Sequence, residues 1–441
     1  MDYKGKNILI LGYGISGYGA SLYFISKGAN VYVYDDNMDQ ILKDRANENL
    51  DDVKFLTRTE LDSIDFSFVL KSPGIKPSSD IIRYLVDKNV EIVSDIEILY
   101  RDFKNHKFIV ITGTNGKTTT TTFIGKVLKD LGYNVNVIGN IGVSPLLEAA
   151  NYDTHVIEAS SFQLEYTKDF KPNIAIILNI TPDHLDWHGS FKAYEEAKKK
   201  IYQNMDKSSY LILNYDDIAL NKVEQDTNIL YFSSKEKDIV DMNYIAPNIV
   251  DKDKNIVINK DDIFIKGRHN YENLMAATLA LEVFGVKRED IVKEIKDFKG
   301  VEHRIEFVRE LDGISYYNDS KGTNPDASLK AVEAFDKSIV LIAGGYDKNI
   351  PFEDFAFKTK NKLRSLILFG QTKDKIKEAF TNVGYDNITM VKNMSEAVSV
   401  ARSHAQKGDI VLLSPLCASW GIYKNYKERG IEFKKLVNEL K

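Results

Sequence analysis

The sequence predicts an α/β protein in which mostly parallel sheets alternate with helices over several domains. Short β-branched apolar runs bounded by turns recur along the chain, separated by helical patterns. Glycine-rich turns follow two of these runs and open helices, as they do where a strand and a helix hold a nucleotide. The length of 441 residues leaves room for roughly two to four domains.

The first segment opens with an expected strand at 7–11, the turn Gly12-Tyr13-Gly14-Ile15-Ser16-Gly17 and a helix to Lys27. A second strand, 31–34, ends at Asp35-Asp36, and further strands are expected at 66–70 and 91–93. Gly12, Gly14 and Gly17 fit G-x-G-x-x-G, and Asp35 stands about where a ribose-binding acid sits in dinucleotide folds. Any nucleotide diphosphate can use such a loop. Taken alone it also admits a nicotinamide-dependent oxidoreductase. The polar stretch Arg101–Lys107 reads as a linker.

The second segment carries the sharpest motif. Phe108-Ile109-Val110-Ile111 runs into Gly113-Thr114-Asn115-Gly116-Lys117-Thr118-Thr119, and a helical pattern continues to Leu131. Glycines let main-chain N–H groups surround phosphate oxygens, and the helix N-terminus adds partial positive charge. Lys117 would reach the β- and γ-phosphates and the Thr118 hydroxyl would ligate Mg²⁺. The loop is shorter than the common G-x-x-x-x-G-K-[ST]. A structural turn with incidental glycines would leave Lys117-Thr118 unexplained, as would the oxidoreductase reading.

Strands are expected at 135–138, 155–159, 174–180 and 210–213, and a hairpin from 256–259 with 263–266 before a helix at 271–284. Glu158 ends one strand, and His184 follows the next, after Asn179-Ile180-Thr181-Pro182-Asp183. Acids at the carboxyl ends of parallel strands point into the ligand crevice, so both are candidates for Mg²⁺ ligation. On a helix expected at 194–205, Tyr194, Ala197, Ile201, Tyr202 and Met205 form an apolar stripe with Lys198 in its middle. Periodicity admits two fates for Lys198. Its stem can pack while the head reaches water, or the buried amine can turn neutral and take up CO₂ as a carbamate.

The third segment begins near Gly300, with strands expected at 315–317, 339–343, 366–369, 389–391 and 410–413. His303-Arg304, Asn318–Pro325 and Gly344–Lys348 fall at element ends, where ligands are reached. Cys417 has no local base and reads as packing.

Composition narrows the partners. A formal net charge of −5 supplies no basic footprint for nucleic acid. The single cysteine excludes an internal disulfide framework and fits a reducing cytosol. The sequence MDYKGKNILI passes directly into a strand, so no secretory leader is expected. Apolar runs such as Ile174–Leu178 are too short to cross a bilayer.

Together these motifs resemble the Mur ligases, the ATP-dependent amide-forming enzymes of peptidoglycan synthesis. Gly113–Thr119 looks like their ATP loop, Glu158, His184 and Lys198 like their metal and carbamate set, and Gly267–Asn273 like their adenine-side segment. Lys71-Ser72-Pro73-Gly74-Ile75, Gly139–Gly142, Asn318–Asn324, Gly344–Lys348 and Ser414–Gly430 bring the resemblance closest to members that add D-glutamate to UDP-N-acetylmuramoyl-L-alanine. The resemblance implies a Rossmann-like N-terminal domain for the UDP-substrate (1–104), a P-loop ATPase-type central domain (105–299) and a Rossmann-like C-terminal domain for the amino acid (300–441). It implies that Ile15, Ser16, Asn37, Ser72 and Gly74 hold the uridine diphosphate end, and that Asn140, Ser160 and Gln163 line the muramoyl-alanine path. Asn270, Arg304 and Asp319 would hold adenosine, with Lys321 near the phosphates. Thr323, Lys348, Ser419 and Tyr426 would clamp D-glutamate. It further implies Lys117, His184 and Lys198 as catalytic groups, two Mg²⁺ ions held by Thr118, Glu158, His184 and carbamylated Lys198, and a cytoplasmic monomer. Asp36-Asn37 and Gly421 depart from the family's Thr-Arg pair and Asp. A sister ligase, a folylpolyglutamate-type synthetase and a nucleotide-gated switch without ligase chemistry are the rival readings.

Overall fold

The computed structural model describes residues 1–36, 52–139, 144–265, 267–347 and 350–441, with the backbone alone for Ile15 and Asp326. The expectations for Asn37, Asn140 and Lys348, and for the Ile15 side chain, lie outside the described residues. Met1–Ile263 with Arg268–Asp297 form one compact unit, and Phe264–Gly267 with Phe298–Lys441 form a second. Among the described residues the first unit holds two sheets and the second holds one, all α/β and rich in parallel strands.

The first sheet contains β1 (Asn7–Leu11), β2 (Asn30–Tyr34), β3 (Val53–Phe55), β4 (Phe68–Lys71) and β5 (Ile92–Val93). Its order is β3-β2-β1-β4-β5 with all neighbours parallel. That is the doubly wound order, whose ligand crevice opens beyond the strand ends at the reversal between β1 and β4. β1 reads Asn-Ile-Leu-Ile-Leu without polar alternation because both faces are covered. Ile8 and Ile10 join one core with Phe24 of the helix Ile15–Ser26, and Leu9 and Leu11 join another with Ile81 and Leu85 of the helix Asp80–Asp87.

The second sheet contains β6 (Lys107–Thr112), β7 (Val135–Gly139), β8 (Thr154–Glu158), β9 (Ile174–Ile177), β10 (Tyr210–Asn214), β11 (Asn228–Ser233), β12 (Met242–Ile245), β13 (Asn248–Asp251) and β14 (Ile256–Asn259). β6 lies between β8 and β9, so the residues that follow these three strands share one rim. The strands from β7 to β12 run parallel, and β13 and β14 are added antiparallel. The expected hairpin is corrected here: β14 pairs with β13, a 3₁₀ turn occupies Lys260–Asp262, and Ile263–Ile265 join no strand. The helix expected at 271–284 starts earlier, at Arg268, and runs to Phe284.

One hydrophobic core runs through both sheets of this unit, with Ile10 and Leu70 in the same cluster as Val110, Ile157 and Ala175. A buried carboxylate adds a directional tie. Glu97, on the helix Asp95–Asp102, accepts from the main-chain N–H groups of Lys168, Asp169 and Phe170 at 2.9, 2.9 and 3.0 Å and from Arg101 Nε at 2.7 Å. The first sheet's last helix is thereby fixed to the loop that enters β9.

The third sheet contains β15 (Glu306–Leu311), β16 (Ile314–Asn318), β17 (Ile339–Ala343), β18 (Leu363–Leu368), β19 (Ile388–Met390) and β20 (Ile410–Leu413). Its order is β15-β16-β20-β17-β18-β19. Read from the far edge, β19-β18-β17-β20 repeats the doubly wound order, with its reversal between β17 and β20. Only β15 is antiparallel, against β16.

Glu97→Ala leaves the three main-chain donors without their acceptor and removes one partner of Arg101, which keeps Glu91. We expect it to lower the unfolding free energy by about 3–5 kcal/mol, read as a lower denaturant midpoint for the first unit.

Candidate active site

The central site begins at the end of β6. Gly113 (φ +150°) and Gly116 (φ +86°) take conformations closed to most L-residues, and Gly116 caps the helix Lys117–Asp130. A Cβ at Gly116 would run into Asn273 Oδ1 and come within 3.0 Å of Leu178 Cδ1. The loop is braced from the end of β9. Thr114 N donates to Asn179 O at 2.9 Å, Asn115 N to Asn179 Oδ1 at 2.9 Å, and Thr181 N to Thr114 Oγ1 at 3.0 Å. The Thr114 and Tyr194 hydroxyls share a further hydrogen bond at 3.0 Å.

Lys117 folds onto its own loop, donating to Gly113 O at 2.8 Å and Thr114 O at 3.0 Å. Thr118 is buried in the first helical turn. Glu158 closes β8 directly beside β6, where it pairs in register with Ile111, and its side chain is buried on the same rim. His184 follows β9, exposed and left-handed at φ 51°, with its ring 4.9 Å from Phe162 and Nε2 3.6 Å from Asp183.

Lys198 lies on the helix Phe191–Lys199, which gives way to a 3₁₀ turn at Lys200–Tyr202 rather than continuing to Met205. Its head does not reach water. The residue is 1% exposed, Nζ donates to Gly113 O at 2.8 Å, and the amine stands 4.6 Å from the Tyr194 ring centre. The snorkelling alternative is therefore excluded. Burial, helped by the neighbouring Lys117 charge and opposed by Asp183, holds the Lys198 pKa well below that of an ordinary lysine.

His188 was not singled out by sequence reasoning. Its Nε2 is 2.9 Å from Ser161 Oγ, and its pKa falls to about 4, first through burial and then through Lys198 and His184. It stands in the short helix Leu185–His188, in a segment too brief for periodicity to single out. Ser160 and Gln163 form a capping box on the helix Ser161–Leu164, and Gln163 Nε2 donates to Asp95 Oδ1 at 3.0 Å. Asp95 is buried, and burial raises its pKa against the opposing influence of Gln163, Ile96 N and Ser16. Asp95 thus holds the Ser160–Gln163 turn, expected on the muramoyl path, with Ser16, expected on the diphosphate end, near it. Sequence reading missed it because its side-chain partner, Gln163, is remote in the chain.

In the first sheet, Tyr13 N donates to Asp35 Oδ2 at 2.9 Å, and Ser72 Oγ to Gly12 O at 2.7 Å. Beyond the ends of β2 and β4 a cavity of about 420 Å³ is lined by Tyr34, Asp35, Asp36, Gly74, Ile75 and Lys76, among others. Asn270 sits in the first turn of Arg268–Phe284, with Asn273 Nδ2 3.5 Å from its Oδ1.

The second unit gathers another set at the ends of β16 and β20. Asp319 is buried and accepts from Ser414 Oγ at 2.7 Å and Ile305 N at 3.3 Å, while burial pushes its pKa up to about 7. Arg304 acts on it through space. Lys321 N donates to His303 O at 3.0 Å, and its ammonium is 5.9 Å from the Tyr426 ring. Thr323 N donates to Lys321 O at 2.9 Å, and Ser419 is buried with its carbonyl accepting from Tyr423 N at 3.0 Å. Arg429, also missed, is buried behind this set and donates to Ser320 Oγ, Ser320 O and Cys417 O at 3.0, 2.9 and 3.1 Å. Cys417 is buried, its thiol pKa pushed up to about 11, as packing requires.

Among the described residues no three carboxylate, imidazole or thiol groups converge as a ready cation cage. Mg²⁺ that arrives on a nucleotide needs only one or two protein oxygens besides phosphate and water. Thr118 and Glu158 on one rim fit that requirement.

A phosphate loop backed by an acidic strand end and a buried lysine defines a P-loop nucleotide enzyme built on three sheets. Residues 111–281 match the Mur ligase middle domain, and residues 303–417 match the Mur ligase glutamate ligase domain. The UDP-N-acetylmuramoylalanine–D-glutamate ligase of Caldicellulosiruptor bescii is 42% identical over 463 residues, covering 100% of this chain and 99% of its own. That of Thermoanaerobacter pseudethanolicus is 42% identical over 464 residues, covering 100% of both. The fold is also that of UDP-N-acetylmuramate-alanine ligase from Thermotoga maritima, at TM-score 0.59, 19% identity and 98% of each chain. MurF ligase from the same organism, solved with ADP, gives TM-score 0.56 at 18% identity over 99% of this chain and 96% of its own. The chain belongs to the Mur ligase family, and it is an ATP-dependent ligase.

Gly116→Ala should raise the dissociation constant for ATP by at least about tenfold, because the loop must move off Asn273 to admit a methyl group. Equilibrium binding of a fluorescent ATP analogue checks this.

Proposed function

We propose that this chain joins D-glutamate to UDP-N-acetylmuramoyl-L-alanine, with hydrolysis of ATP to ADP and phosphate, as a monomer in the cytoplasm. The observation that carries the reading is full-length similarity, at 42% identity, to enzymes named for that reaction. The loop at Gly113–Thr119 and the buried amine of Lys198 supply chemistry that such a reaction needs.

In the proposed division, residues 1–104 take the UDP end, 105–299 take ATP, and 300–441 take the amino acid. Ile15, Ser16, Asn37, Ser72 and Gly74 would hold the uridine diphosphate. Asn140 and the Ser160–Gln163 turn would line the muramoyl-alanine. Asn270, Arg304 and Asp319 would hold adenosine and Lys321 the phosphate side. Thr323, Lys348, Ser419 and Tyr426 would hold D-glutamate.

The alanyl carboxylate oxygen attacks the γ-phosphorus of ATP, and the bond from phosphorus to the β-bridging oxygen breaks to release ADP. Lys117, freed from its loop carbonyls, neutralises charge on the phosphoryl oxygens. The D-glutamate amine then attacks the acyl carbon of the resulting acyl phosphate, loses a proton, and phosphate leaves. Asn179 and Tyr194 hold the loop in place throughout. Bound Mg²⁺ would supply further charge neutralisation, held by Thr118 and Glu158 with His184 and a carbamate on Lys198. A neutral amine is the form that adds CO₂, and the depressed pKa of Lys198 favours that form. Water must be excluded, because acyl phosphates hydrolyse.

ADP release should require UDP-N-acetylmuramoyl-L-alanine and D-glutamate together, and L-glutamate or a diamino acid should not replace the D isomer. Turnover with another amino acid instead would assign a sister reaction. Lys198→Ala should lose most activity and regain part of it with millimolar formate or acetate. Full activity in that variant without additive would refute the carbamate. Acidification should also inactivate the wild type, since protonation of Lys198 blocks CO₂ uptake. The loss should be lessened by added bicarbonate.

A further inference from the structure

Lys71 closes β4, directly before Ser72-Pro73-Gly74. It is 3% exposed, and among the described residues its amine makes one hydrogen bond, to Ser72 O at 3.0 Å. The ammonium faces the Tyr166 ring at 4.5 Å and the Trp187 ring at 5.1 Å. Asp95 and Glu165 act on it through space, without an ion pair. A buried ammonium without a carboxylate in contact is costly, and a packing role would need no amine.

Two further donors beside it lack an acceptor. The Trp187 indole N–H is buried and has no hydrogen-bond partner, and the same holds for the Ser94 hydroxyl. Ser94 follows Val93, which pairs with Leu70, so it stands opposite Lys71 across the β4–β5 ladder. Its main-chain N–H donates to Tyr166 O at 3.0 Å. An ammonium, an indole N–H and a hydroxyl near one strand end, next to the turn in which Ser72 bonds Gly12, form a donor set suited to anionic oxygen.

We propose that Lys71 is a specificity-determining residue of the acceptor site, taking an anionic oxygen of the nucleotide-sugar substrate beside Tyr166 and Trp187. This rests on the acceptor assigned under the proposed function. The diphosphate and the alanyl carboxylate both carry such an oxygen, and binding measurements separate them.

Calorimetric titration of wild type, Lys71→Met, Lys71→Gln and Lys71→Arg with UDP, UDP-N-acetylglucosamine and UDP-N-acetylmuramoyl-L-alanine tests the proposal, with an ATP analogue as control. Loss of a charged hydrogen bond should weaken the muramoyl compound on the order of tenfold or more in the neutral variants, with the ATP analogue unchanged and Lys71→Arg partly restoring affinity. Equal weakening of UDP-N-acetylglucosamine assigns the diphosphate, and weakening confined to the alanyl compound assigns the carboxylate. Unchanged affinity for all three nucleotides, in any neutral variant that melts with the wild type, overturns the proposal. So does an equal loss for the ATP analogue, which would mark a structural role. Wild type that binds none of the UDP compounds would instead remove the acceptor reading itself.

Discussion

The carbonyl of Gly113 accepts from two lysines, and the central site is organised around that convergence. One comes from the helix the glycine loop opens, the other from a helix some eighty residues further along. Burial first, and then the charge of Lys117 on the same carbonyl, push the deeper amine toward its neutral form. In the proposed function the same side chain then serves twice, Lys117 as the cation that meets phosphate and Lys198 as the amine that takes up CO₂. It also explains why the loop is braced so heavily by Asn179, Thr181 and Tyr194. A carbonyl that orients two amines must not rotate.

The rest of the first unit ties the sheet that carries this carbonyl to the first sheet. Asp95 and Glu97 are neighbours on one helix yet do different work. Glu97 immobilises the chain entering β9 through main-chain donors. Asp95 accepts from the side chain of Gln163, which is expected on the substrate path. A shared core supplies the bulk of the attachment, and these acids supply its direction.

Much of this was legible in the sequence, for local reasons. The strands with unbroken β-branched runs, such as Ile339–Ala343 and Ile410–Leu413, were evident because both their faces are buried. The glycine loops were evident because positive φ and close approach demand glycine. β11, β13 and β15 were not, since each opens or closes on Asn, Asp, Ser or Glu, and β15 is a half-buried edge strand. The stripe located Lys198, but its burial depended on a carbonyl brought from another strand. Asp95, His188 and Arg429 stayed hidden because their partners are distant in the chain and no spacing rule joins them.

The antiparallel end of the central sheet has a further consequence. A wide sheet exposes two rows of unpaired main-chain groups, and such rows recruit other chains. Here β14 is only four residues long, its neighbour β13 carries a register shift between Ile249 and Val250, and a 3₁₀ turn with a lysine and two aspartates follows. Shortness, a kink and charge together make a poor template for edge-to-edge growth. Protection of this edge is thus built from local geometry and charge.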